Sequence, residues 1–80
     1  MKLIVYEIEW LDCRSAGSWF EADEEHPNAP MITYGVMVCE QPEQYVLAST
    51  YDPQDDGWAD KSIMPKGMIK AIRVIHEREV

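Results

Sequence analysis

Between Lys2 and Leu11 the chain alternates without a break. Ile4, Tyr6, Ile8 and Trp10 share one face, and Leu3, Val5, Glu7, Glu9 and Leu11 share the other. A period of two sustained this long, in β-branched and aromatic residues, predicts a long strand. Met31–Glu40 repeats the pattern with Ile32, Tyr34, Val36 and Val38 on one face. Gly35 falls on the opposite face and marks a bend or the close approach of another backbone. Gln41-Pro42-Glu43 supplies turn chemistry, the proline having its φ already set, so Gln44–Tyr51 reads as the return strand of a hairpin. Asp52-Pro53-Gln54-Asp55-Asp56-Gly57 reads as an exposed loop, Lys61–Met64 as a short fourth strand, and Pro65-Lys66-Gly67 as a one-turn break before a fifth strand, Ile69–His76. Glu77–Val80 reads as a frayed end.

Asp12–Pro30 is too long for a structureless connection in a compact domain. Within it, Ser18-Trp19-Phe20-Glu21 has the Ser-x-x-Glu form of a capping box, and acids in a first turn suit the helix dipole. This predicts a short helix at Trp19–Glu25, stopped by Pro27-Asn28. The expected architecture is therefore one domain, residues 1–80, all-β: a small five-stranded half-open barrel with one short helix inserted after the first strand. Ile8, Val36, Leu47 and Ile72 are its expected buried core, with Tyr6, Trp10 and Tyr34 also inward.

Size then limits what such a core achieves. A chain of 80 residues buries only about 60–65% of its unfolded surface, and a single core of this size yields roughly 3–5 kcal/mol of net stability. Extra burial has to come from disulfides, a metal or a second subunit. Only Cys13 and Cys39 are present, no apolar signal-like run follows Met1-Lys2, and no stretch approaches the ~20 apolar residues of a membrane span. These features point to a reducing, cytoplasmic setting with free thiols. Self-association is the simplest remaining source. Leu3, Val5, Met31, Met37 and Met68 add apolar surface, and Met31–Cys39 has few charges to guard a strand edge. A homo-oligomer, most simply a two-fold dimer, is expected.

The net charge of −8 is unevenly placed. No Lys or Arg lies between Arg14 and Lys61, whereas Glu21, Asp23, Glu24, Glu25, Glu40, Glu43, Asp52, Asp55, Asp56 and Asp60 all fall there; residues 61–80 are net basic. Phosphate backbones are held by clustered cations, so nucleic acid and anionic membranes are disfavoured as partners. The acid is either a solubilising surface or a face for a basic protein partner, with the rate benefit of steering.

Catalytic and metal chemistry find little support. Asp52, Gln54, Asp56 and Gly57 mimic the start of an EF-hand loop, but the twelfth position is Ile63 and no helix precedes it. Cys13, His26, Cys39 and His76 lack the short-spaced pairs of a zinc site. No spacing joins a nucleophile to a base and an orienting group. No cofactor motif, metal site or catalytic residue is assigned, and the chain reads as a non-enzyme.

Trp19 and Trp58 stand apart, each in an acidic, turn-rich segment outside the expected strands. Tryptophan anchors protein interfaces and carboxylates confer specificity. Trp19, Glu21, Asp23, Glu24, Asp55, Asp56 and Trp58 are thus the candidate partner-binding residues. The plainer alternative is that both tryptophans close the ends of the fold.

Several short motifs extend over nearly the whole chain: Glu9-Trp10-Leu11-Asp12, Gly17-Ser18-Trp19, Tyr34-Gly35-Val36, Val46-Leu47-Ala48-Ser49-Thr50-Tyr51-Asp52 and Ile63-Met64-Pro65-Lys66-Gly67-Met68-Ile69-Lys70-Ala71-Ile72. In these the chain resembles small accessory proteins of tailed phages and prophages, whose biochemical role is unassigned. The strand order is similar to that of SH3-like and Sm-like barrels, which is a likeness of fold alone. The resemblance implies an accessory protein, cytoplasmic in the host, and carries over no site residues. The expected function is a non-catalytic binding protein that engages a host or phage protein through its acidic, Trp-bearing face. One alternative is a homo-oligomeric sponge for a small nucleotide-like signal, held by Lys61, Lys66, Lys70 and Arg73. Another is an Sm-type nucleic-acid binder, which the charge disfavours.

Overall fold

The structure is a computed structural model that describes residues 1–13, 17–25 and 29–80. Among the described residues five strands form in chain order: β1 (Lys2–Asp12), β2 (Ala29–Glu40), β3 (Gln44–Asp52), β4 (Gly57–Pro65) and β5 (Ile69–Glu79), with one 3₁₀ turn at Lys66–Met68. They make one antiparallel sheet in the order β4-β3-β2-β1-β5. The all-β expectation with five strands therefore holds. The sheet is not closed, and β4 and β5 are its two edges.

β2 is the strand on which the sheet turns. Its first part pairs with β1, from Asp12↔Ala29 to Val5↔Val36, and its last part pairs with β3, from Val36↔Ala48 to Glu40↔Tyr45. Gly35 sits at the change of partner. A Cβ built there would lie 3.1 Å from Leu47 Cβ, so β3 passes close to β2 here and any side chain would press on it. Past this point the sheet folds over itself, which is why Ile8 of β1, Leu47 of β3 and Met64 of β4 are buried together although β1 and β4 are not neighbours. Tyr6, Trp10, Met37, Tyr45, Ile69 and Ile72 pack around them. The half-buried Trp10 indole donates from Nε1 to Thr33 Oγ1 at 2.8 Å.

The close contact at Gly35 also decides which face of β2 turns inward. Met31, Thr33, Gly35 and Met37 face the core, and the more apolar set of Ile32, Tyr34, Val36 and Val38 faces out. Tyr34, expected inward, is 56% exposed. Of the expected core, Ile8 and Leu47 are fully buried, whereas Val36 and Ile72 are only half-buried.

Three further expectations change. Residues 17–25 hold no helix: the backbone is open, with one turn at Ala22–Asp23 closed by Glu24 N donating to Glu21 O at 3.2 Å. A helix this short lasts only if it has something to pack against, and Trp19 and Phe20, the apolar residues expected to anchor it, are both exposed. Pro27-Asn28, the expected stop, lies outside the described residues. β4 begins at Gly57 rather than Lys61, because the preceding turn is tighter than a loop. Nor is the end frayed: Lys2 pairs with Glu79, Lys2 Nζ lies 3.2 Å from Glu77 Oε2, and Val80 N donates to Met1 O at 2.9 Å.

The molecule is long, 55 × 22 × 21 Å, with a radius of gyration of 16.3 Å. A compact chain of this length has a radius near 12 Å. Among the described residues only Ile8, Ala29, Leu47, Ala48 and Met64 are buried apolar side chains.

Candidate functional site

The β3–β4 hairpin is the most tightly organised exposed feature. Asp52 Oδ1 accepts from the backbone N–H of Gln54 at 2.9 Å and of Asp55 at 3.5 Å, an aspartate-capped turn. Asp56 takes up the left-handed conformation, φ 52°, which aspartate tolerates better than most residues. The chain thus reverses within Pro53–Asp56 and pairs again at Asp52↔Gly57. Tyr51 and Trp58, the next pair inward, stack with ring centroids 4.6 Å apart at a tilt of 45°. The Tyr51 hydroxyl donates to Asp56 Oδ1 at 2.7 Å, and that bond holds the phenol's pKa above its ordinary value. Two residues on, Asp60 also has a positive φ of 59°, and its Oδ2 accepts from Ser49 Oγ at 3.3 Å and Thr50 Oγ1 at 3.2 Å.

The structure therefore brings Asp56 and Trp58 together through Tyr51, with Asp52, Asp55 and Asp60 around them. Trp58 remains 36% exposed and the carboxylates lie at the surface. Trp19, Glu21, Asp23 and Glu24 are all exposed on the open backbone of residues 17–25. The β1–β2 connection and the β3–β4 turn both leave the sheet at the end where β2 begins, as the antiparallel registers require. Tyr51, Ser49 and Thr50 were not among the candidates. Tyr51 could have been found, since it and Trp58 bracket the Asp52–Gly57 turn.

The four basic candidates are spread out. Lys61 is on the β4 edge, and Lys70 and Arg73 are on the β5 edge. Lys66 Nζ pairs with Glu40 Oε2 at 2.7 Å and sits over the Tyr45 ring at 4.9 Å. Arg73 donates from Nε to Glu7 Oε1 at 2.7 Å and from Nη2 to the same oxygen, with Glu9 at 4.0 Å. Tyr34 also bonds to Glu7.

The Arg73 bonds, seconded by Tyr34, hold the Glu7 carboxyl below its ordinary pKa of 4.5. A depressed carboxylate contributes stability above its unfolded pKa and loses it as pH falls through the folded value. Glu7→Gln is thus expected to flatten the acid limb of the pH–stability curve below the usual carboxylate range, read as urea midpoints against pH. Superimposable curves for variant and wild type would show that the pair contributes nothing.

Among the described residues no three His, Cys, Asp or Glu side chains converge as a metal site. The turn itself uses Asp52 and Asp56, so their calcium-like spacing has a structural origin. Cys13 and Cys39 are free thiols at the surface, His76 is exposed, and His26 lies outside the described residues. No helix among the described residues is long and apolar enough to cross a membrane.

No family model, curated protein or solved structure matches this chain.

Proposed function

We propose that the chain is a non-catalytic binding module that engages a basic protein surface through the acidic, aromatic hairpin of Tyr51–Asp60, with Trp19, Glu21, Asp23 and Glu24 extending that face. The observation that carries this reading is the pinned Tyr51–Trp58 pair. Stacking, and the bond from Tyr51 to Asp56, fix the rings before any partner arrives. An anchor ordered in advance loses little side-chain entropy on binding. Exposed carboxylates beside it supply attraction and orientation toward cations. A role as an accessory protein of a phage or mobile element belongs to the same proposal and rests on the sequence motifs. So does the SH3-like or Sm-like reading of the fold, with which the strand order and the 3₁₀ turn before β5 agree.

Asp55 and Trp58 are the residues to change. Asp56 is less suitable, because its positive φ and its bond to Tyr51 make it part of the turn. Reversal at the exposed Asp55 should alter stability by no more than about 0.5 kcal/mol. Asp55→Lys and Trp58→Ala are expected to keep the circular dichroism of the wild type and to lose the basic protein that the wild type captures from a host lysate. The wild-type complex should also weaken steeply with salt. Capture by both variants at wild-type strength, or a wild-type complex indifferent to salt, would sink the proposal.

A further inference from the structure

Next to the Tyr51–Trp58 pair, β2, β3 and β4 leave a hollow of about 100 Å³ that opens to solvent. Val38, Val46, Ala48, Trp58, Ala59 and Lys61 line it. The space has a local origin. The register of β2 with β3 shifts between Met37↔Leu47 and Cys39↔Val46, so Val38 is the extra residue of a bulge. Ala48 and Ala59 are too small to fill the room that the bulge makes. Trp58 belongs to both features, stacking on Tyr51 and walling the hollow.

Size and lining select what can enter. Sites for cofactor- or drug-sized molecules measure about 300–1,000 Å³, so a nucleotide is too large. A dry apolar cavity of about 150 Å³ accommodates benzene, so this smaller one accommodates a single aliphatic side chain. Water there finds few polar partners, and an apolar group that displaces such water gains affinity. Lys61 is exposed, so its stem can line the hollow while its ammonium stays hydrated.

We infer that the hollow is the anchor pocket of the acidic hairpin: it takes one leucine-sized side chain of an extended partner segment that carries a lysine or arginine two residues away. This rests on the hairpin being a face for a basic protein, and it adds what that protein must present. Charge complementarity sets the spacing. Asp56 is two residues from Trp58, roughly 7 Å along a strand, and an extended partner has the same repeat. Asp55, Asp56 and Asp60 outnumber Lys61 around the opening. An apolar anchor flanked by cations therefore satisfies the pocket and the carboxylates together.

Titration of the protein with short peptides, followed by the NMR methyl resonances of Val38, Val46, Ala48 and Ala59, tests this. The probes are Arg-Ser-Leu-Ser-Arg, the same peptide with alanine for leucine, and the same with glutamates for arginines. The leucine peptide is expected to shift these methyls and to bind about tenfold more tightly than the alanine one, the gain from burying about two extra carbons. The glutamate peptide should not bind. Ala59→Leu, which fills the hollow from an exposed position, should abolish the preference for leucine and leave the weaker binding driven by charge; Val38→Leu, filling it from the opposite wall, should do the same. If both arginine peptides bind equally and Asp55→Lys weakens both, the anchor pocket is overturned and the hairpin face stands. A leucine preference that survives both filling variants also overturns the pocket. If no arginine peptide binds, pocket and hairpin reading fall together.

Discussion

Leu47→Ala is expected to remove the cooperative unfolding transition, or to lower its midpoint by tens of degrees. Leu47 is 1% exposed, and with Ile8 it is one of the two largest fully buried side chains. It touches the backbone crossing at Gly35 and the cluster shared with Ile8 and Met64, so both arms of the folded-over sheet close on it. Truncating a buried leucine costs ~2–5 kcal/mol, the spread reflecting how far the cavity collapses. Here collapse is restrained, because the neighbours belong to hydrogen-bonded strands. The loss is comparable with the whole ~3–5 kcal/mol available to a core of this size. Val36→Ala, at a half-buried outward position, should cost the monomer distinctly less. A Leu47→Ala variant melting with wild type would refute the placement of β3 over β2.

Gly35→Val is expected to be nearly as damaging, through the opposite mechanism. No glycine among the described residues has a positive φ, so a side chain here is a question of space rather than conformation. The new Cβ would sit 3.1 Å from Leu47 Cβ and 3.5 Å from the Ala48 carbonyl oxygen. Neither is the movable end of a flexible side chain. Alanine needs β3 to shift by a few tenths of an ångström. Valine adds methyl groups beyond the Cβ and forces the strands apart where β2 changes partner. Overpacking of this kind costs ~1–3 kcal/mol. Urea midpoints should fall in the order wild type, Gly35→Ala, Gly35→Val. Equal midpoints for all three would mean that β3 does not cross there.

Alternation alone made β1, β2, β3 and β5 readable, because each keeps a period of two and ends at recognisable turn residues. Alternation reports which side chains share a face, not which face turns inward. Tyr34 and Val36 were placed inside on that account, while the inward side is decided by a glycine whose missing side chain lets β3 approach. β4 was half-hidden for another reason. Gly57-Trp58-Ala59-Asp60 has no β-branched residue and carries two turn formers, so it reads as loop, although its register with β3 runs unbroken from Asp52↔Gly57 to Gln44↔Pro65. The expected helix rested on a capping box, a local signal that weighs little when no surface lies beneath it. Of the candidate site, the acid and both tryptophans stood out in the sequence. Tyr51, which ties Trp58 to Asp56, was legible only as the residue that brackets the Asp52–Gly57 turn opposite Trp58; its bond to Asp56 comes from the folded hairpin.

The position of β1 between β2 and β5 has a consequence for the order in which the chain can assemble. The β2–β3 and β3–β4 pairings join neighbouring segments through short turns and can form early. The β1–β5 ladder instead joins Lys2 to Glu79, the most distant pairing in the fold. Loop closure over such a span is slow compared with hairpin formation. During synthesis β1 therefore waits, one edge unpaired, until β5 has left the ribosome, and throughout that interval its apolar residues are open to any other strand that arrives first.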